Sequence, residues 1–336
     1  MSRRAVGRVL AAVSSAAVVG VVFAFALPSI AQYGAVWGEL HSLTPLWIGA
    51  LAAAVLANTL TSALPWRVML PGLGLVSALR ITQASTALIT VLPGGAPAGM
   101  AVSFAMLRTQ RIGREAAALT VALTGIWSQL STFVFPVAAV VAISAGGRLP
   151  RPVVWAAVAG VVVIVVAIVL LVLALAGRRR ALILGGAVRA ATGALLRLAR
   201  RPSPVWSRAD ILRLRRNTLR AMSEHGVALT LATLANQLTG FAVLDLSLRA
   251  VGISTAEISI AESFTAWSLA RLIESLPLTP GGLGLVELGL TGTLIAFGAP
   301  HAALVASVLL YRGLVVVPTL VLGATAGLTW RLRWSD

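Results

Sequence analysis

Ser275-Leu-Pro-Leu-Thr-Pro280-Gly281-Gly282-Leu-Gly-Leu-Val-Glu287 breaks an apolar stretch that would otherwise read as one long helix from 257 to 298. A second break, Val91-Leu92-Pro93-Gly94-Gly95, splits 76–91 from 98–107. As helices, the legs 98–107 and 284–298 would be roughly 15 and 22 Å long, short of a ~30 Å hydrocarbon core. Proline removes a backbone donor and glycine leaves backbone uncovered. At membrane depth both are tolerated only where the chain is buried in protein or lines a cavity. The two pairs therefore read as re-entrant hairpins, although 257–276 alone is long enough to cross.

Around these hairpins lie six longer apolar runs, at 10–31, 45–64, 116–143, 153–176, 226–249 and 303–328. The 336 residues are 58% hydrophobic and only 11% charged, with a mean hydropathy of +0.94. A soluble domain carries about 25% charged residues, so soluble globular classes are excluded. The expected fold is all-α and polytopic, with about six full spans plus two hairpins, which hydropathy alone would count as eight spans. A cleavable leader competes for residues 1–31, but Ala24-Phe25-Ala26 sits inside an apolar stretch too long for one, and a retained first span is the reading.

Arginine orients the chain. All 27 basic residues are Arg, and no lysine occurs. With Arg3, Arg4 and Arg8 in the cytoplasm, twenty-two of the 27 fall inside; only Arg148, Arg151 and Arg249 fall outside, and Arg271 and Arg312 lie within apolar runs. This satisfies the positive-inside rule and sets both termini inside. The first hairpin (76–107) then opens and closes on the cytoplasmic side and the second (257–298) on the outer side. Each is flanked by one full span, giving two halves, 45–143 and 226–328, of inverted topology within a single membrane domain, 1–336. An offset of 187 superposes Pro93-Gly94-Gly95 on Pro280-Gly281-Gly282. Interrupted helices at matching positions of inverted halves point to a transporter's binding site.

Residues 177–225 form the long polar segment between the halves, with twelve Arg against Asp210 and Glu224. Ser207 and Asp210 are spaced as a capping pair for a helix carrying Ile211, Leu214, Thr218 and Met222 along one side. An interfacial helix on anionic phospholipid and an ordinary positive-inside loop both fit. A pI near 12 in this context points to lipid headgroups, not nucleic acid.

Ionisable residues inside the membrane are functional candidates by default. Here they are Arg271, Glu274, Glu287 and Arg312, with Asp245 near an outer end. Arg271 and Glu274 are three apart and can pair, as can Asp245 and Arg249, four apart. Glu287 and Arg312 have no partner nearby in sequence; they either contact a substrate headgroup from one polar cavity or clamp the second hairpin to the last span. With Pro93, Gly94, Gly95, Pro280, Gly281 and Gly282 these four form the candidate substrate site. Smaller polar groups (Thr120, Thr124, Ser128, Gln129 and Ser131; Asn58, Thr59 and Ser62; Asn236 and Gln237) suit helix packing better than ligand binding.

Enzyme signals are thin. There is no cysteine, His41, His225 and His301 lie on different loops, and no lysine exists to complete a Walker loop. No cofactor, metal site or catalytic residue is expected. No paired acidic motif of a polyprenyl-phosphate glycosyltransferase stands among Glu39, Glu257 and Glu262.

The stretch Ser275–Glu287, followed by Leu309-Leu-Tyr-Arg312 and Pro318, closely resembles the C-terminal half of the lysylphosphatidylglycerol synthase transmembrane (flippase-like) family, and Leu92–Gly95 with the Arg108–Arg114 turn resembles its first half. The resemblance implies a lipid-translocase-like membrane domain, fused in some members to a soluble aminoacyl-transferase. No such soluble domain is expected here, so synthesis of the aminoacylated lipid is not. Where many relatives carry an acidic residue after the first glycine motif, this chain reads Ala98-Gly99-Met100-Ala101-Val102-Ser103, which puts a cationic lipid in doubt as substrate. The expectation is a cytoplasmic-membrane flippase for an amphipathic lipid or polyprenyl-linked substrate. The alternative is a membrane-embedded transferase or an accessory subunit of envelope glycan synthesis.

Overall fold

A computed structural model describes residues 43–92, 95–144, 207–276 and 279–332, with scattered positions between 155 and 186. The run expected at 10–31, most of 153–176, and Pro93 with Gly94 lie outside the described residues. Within them the order is α1 (Pro45–Thr61), α2 (Leu64–Met69), α3 (Leu75–Val91), α4 (Ala96–Thr109), α5 (Arg114–Ser144), α6 (Arg208–Ala250), α7 (Ile260–Ser275), a 3₁₀ turn (Pro280–Gly282), α8 (Leu285–Ala296) and α9 (His301–Leu332). No strand occurs among the described residues.

Four stretches are long and apolar enough to cross a membrane: Pro45–Met69, Arg114–Ile143, Arg208–Ala250 and Ala303–Trp330. They coincide with four of the six expected runs. Their outward residues are apolar, with Leu46 81% and Val227 77% exposed, while Thr120, Ser131, Thr233, Gln237 and Ser307 are buried. In water that distribution would be unstable; against lipid it is the stable one, because hydroxyls facing inward return their protons to carbonyls of their own helices. Thr124 donates to the carbonyl of Thr120 at 2.8 Å and Thr233 to that of Leu229 at 2.8 Å.

Both interrupted segments double back. Side chains added at Gly95 and Gly99 would meet Leu88, Ile89 and Ser85, so α4 folds onto α3. One added at Gly289 would come within 2.5 Å of Ile273, so α8 folds onto α7. The small-residue sites let these short helices approach closely. The last helix, α9, packs along α3, where Gly323 faces Ala87 and the carbonyl of Gln83. Helix α6 holds α1 through Asn58, whose amide donates to the Asn236 carbonyl at 3.0 Å, and through Thr61 and Thr239, 2.9 Å apart.

The polar segment before the second half differs from a plain loop. Ser207 and Asp210 form the expected capping box, and the Ser207 hydroxyl and backbone hold the exposed Asp210 carboxyl below its usual range. The helix they start does not stop at 225. It runs on as α6 through Gly226 to Ala250, 43 residues in all, so the basic segment and the span share one rod.

Candidate functional site

Helix α7 begins at a second capping box, Ser259 with Glu262, which fixes the phase of its faces. Phe264, Trp267, Arg271 and Glu274 follow at helical spacing. The rings of Phe264 and Trp267 pack with Phe135 of α5 and Phe241 of α6 at centroid distances of 5.1–5.8 Å. This aromatic layer anchors α7 between two spans and sets the two charged residues beyond it.

Arg271 pairs with Glu274 through its Nη1, and its Nη2 donates to Gln237 Oε1 of α6 at 3.2 Å. The Gln237 amide in turn donates to Ser131 Oγ of α5 at 3.4 Å. On the other side stands Arg312 of α9, with its side chain only 7% exposed. Its Nε donates to Glu287 Oε1 of α8 at 2.8 Å, its Nη2 to the Gly281 carbonyl at 2.9 Å, and its Nη1 lies 3.9 Å from Glu274 Oε1. One guanidinium therefore ties the last span to α7, to α8 and to the backbone of the turn between them.

Two arginines and two glutamates balance, which is what a low-dielectric setting demands of buried charge. Satisfaction is incomplete, however. Glu287 Oε2, Arg271 Nε and Thr279 Oγ1 are buried with no hydrogen-bond partner. The neutral network thus keeps a spare acceptor on Glu287 and a spare donor on Arg271, and Glu274 and Arg271 keep about a third of their side-chain surface.

The turn itself depends on glycine. Gly281 and Gly282 have φ of +55° and +69°, in the left-handed region that disfavours a side chain. Gly281 lies against the first hairpin, where an added Cβ would sit 2.7 Å from Thr90 Cγ2 and 2.8 Å from the Thr90 carbonyl oxygen. The two hairpin tips meet there. The equivalence of the two Pro-Gly-Gly turns does not extend to their described backbone: Gly95 has φ −66° as the N-cap of α4, whereas its aligned partner Gly282 has +69°.

The structure thus gathers Arg271, Glu274, Gly281, Gly282, Glu287 and Arg312 into one cluster. Gly95 packs within its own hairpin, and Pro93 and Gly94 lie outside the described residues. Gln237 and Ser131 join the cluster although their sequence context suggested packing alone; the signal at Gln237 is a lone amide on an apolar helix. Asp245 and Arg249 pair at 2.8 Å, away from the cluster, with Ser263 donating to the same Asp245 oxygen. Among the described residues no group of His, Asp or Glu could hold a metal ion.

The sequence matches the family described as the lysylphosphatidylglycerol synthase TM region over residues 11–323. No curated protein and no solved structure matches.

Proposed function

The chain belongs to the lysylphosphatidylglycerol synthase TM-region family, and from that premise we propose that it translocates an amphipathic lipid or polyprenyl-linked substrate across the cytoplasmic membrane. Membership ties this all-helical, multi-pass membrane protein to lipid and envelope metabolism; translocation is the step added here. The observation that carries it is Arg312, which grips Glu287, Glu274 and the Gly281 carbonyl at once. A headgroup phosphate competes with carboxylates for a guanidinium, and a cationic headgroup competes with guanidinium for carboxylates. Either exchange loosens the contact between α9 and the second hairpin, and the tip contact at Thr90 passes that change to the first. The neutral network is then the resting state, and the unpartnered atoms of Glu287, Arg271 and Thr279 are the positions a polar headgroup satisfies.

In this reading the hairpins are re-entrant, the halves 45–143 and 226–328 have inverted topology, and Pro93, Gly94, Gly95 and Pro280 belong to the substrate site together with the charged cluster. The doubling back of both interrupted segments and the meeting of their tips support it. Anionic phospholipid is the partner of the basic segment 177–225, whose described portion bears Arg208, Arg213, Arg216 and Arg220 exposed at the start of α6.

Purified full-length protein in proteoliposomes is expected to move labelled lipid between leaflets with no sugar donor present. Strict dependence on a donor would overturn translocation in favour of transfer chemistry. The orientation has its own test, made clean by the absence of native cysteine. Cysteines introduced at positions 38 and 148 should label from outside, and at 110 and 205 only after permeabilisation. External labelling at 205 would reverse the assignment, since the arginine block would then be translocated against its charge bias.

A further inference from the structure

Charge balance around Arg312 sets a condition on any phosphate that displaces its partners. The cluster is neutral as it stands, with Arg271 and Arg312 against Glu274 and Glu287. When a headgroup phosphate takes the Arg312 guanidinium, the two glutamates lose different things. Glu274 keeps Arg271, which holds it through Nη1. Glu287 keeps no partner. Its Oε1 accepts from Arg312 Nε at 2.8 Å, and its Oε2 is already buried without a donor.

The charged and titratable groups packed around Glu287 offer no substitute for Arg312. From α7 they are Glu274, itself negative, and Arg271, which is committed to Glu274 and to Gln237 at 3.2 Å. From α9 they are Arg312 and the buried Tyr311. A carboxylate taken out of water without a partner is neutralised in preference to staying charged. With 21% of its side chain exposed, Glu287 exchanges a proton with water directly.

Taking translocation as the premise, we infer that the transported lipid is coupled to a proton and that Glu287 carries it. Water on one side supplies the proton, which binds Glu287 as the phosphate displaces its carboxylate from Arg312. On the other side the phosphate leaves, Arg312 returns to Glu287, and the proton passes back to water. Proton and lipid then favour each other's binding, as linkage requires. For a lipid with one negative charge the two cross together, and the net charge moved is zero.

The test uses full-length protein in proteoliposomes with fluorescent phosphatidylglycerol, a monoanion, as the probe, and reads its distribution between leaflets. A pH gradient should drive the wild-type distribution by up to about tenfold per pH unit, at one proton per lipid. A membrane potential set with potassium and valinomycin should not move it. Glu287→Gln needs no proton, so its lipid crosses alone with its charge. That variant should respond in the reverse way, to the potential and not to the pH gradient. Glu287→Asp should keep the pH response, with the midpoint of its rate displaced toward acid because aspartic acid is the stronger acid. A wild-type distribution that ignores the pH gradient would overturn the coupling and leave translocation standing. A pH response kept by Glu287→Gln, or an undisplaced midpoint in Glu287→Asp, would overturn Glu287 as the carrier. No movement of the probe under any condition would overturn translocation of a monoanionic lipid, and the coupling with it.

Discussion

Arg312→Gln is expected to be among the most damaging single substitutions in this protein, and more damaging than Glu287→Gln. The guanidinium is buried and holds Glu287, Glu274 and the Gly281 carbonyl. Its removal strands the Glu287 carboxylate and leaves Glu274 with Arg271 alone, and breaking a buried pair from one side costs about 3–5 kcal/mol. Glu287→Gln instead leaves Arg312 with Glu274 at 3.9 Å and with the Gly281 carbonyl. The amide also still offers an oxygen to the Arg312 Nε. Protein level in the membrane and melting temperature in detergent should therefore fall in the order wild type, Glu287→Gln, Arg312→Gln. The exchange Glu287→Arg with Arg312→Glu would restore an isolated pair. Here it should not, because the new carboxylate at 312 faces the Gly281 oxygen and Glu274, both negative. Recovery of wild-type stability by the exchange would show that Arg312 has Glu287 as its single partner of consequence.

That expectation could not have been framed from sequence, and the reason is physical. Local periodicity makes pairs three or four residues apart legible, and Arg271–Glu274 and Asp245–Arg249 are both formed. Glu287 and Arg312 were legible as costly intramembrane charges, but 25 residues of separation says nothing of distance. That Glu274 stands between two arginines depends on how α7 packs against α9. Hairpin legs were legible to within a few residues because Pro-Gly-Gly ends a helix wherever it occurs. The length of α6 was not, since Gly226 is a helix breaker by propensity alone and the packed helix carries it through. The differing backbones of Gly95 and Gly282 were also hidden, because identical residues permit both signs of φ.

Gly281→Val should abolish function outright, and the comparison with Gly282 shows why the first glycine is the stricter one. At Gly281 a left-handed φ of +55° already disfavours any side chain, by roughly 1–2 kcal/mol. The added Cβ would also stand 2.8 Å from the Thr90 carbonyl oxygen and 3.1 Å from its Cα. Those are backbone atoms of α3, which can retreat only if the hairpin tips part. At Gly282 the φ of +69° carries a similar penalty, but the nearest obstacle is Val286 Cγ2 at 2.6 Å, a side chain that can rotate. Gly282→Ala is thus expected to be tolerated with reduced stability, while Gly281→Ala is already severe and Gly281→Val complete in its effect. Trimming the neighbour separates the causes. Thr90→Ala removes Cγ2 but leaves the carbonyl and Cα in place, so it should not rescue Gly281→Ala. Full rescue of transport by that double substitution would mean that the side-chain clash alone mattered and that the tips need not stay in backbone contact. Activity surviving in Gly281→Val by itself would reduce the turn to a passive kink and remove it from the proposed translocation path.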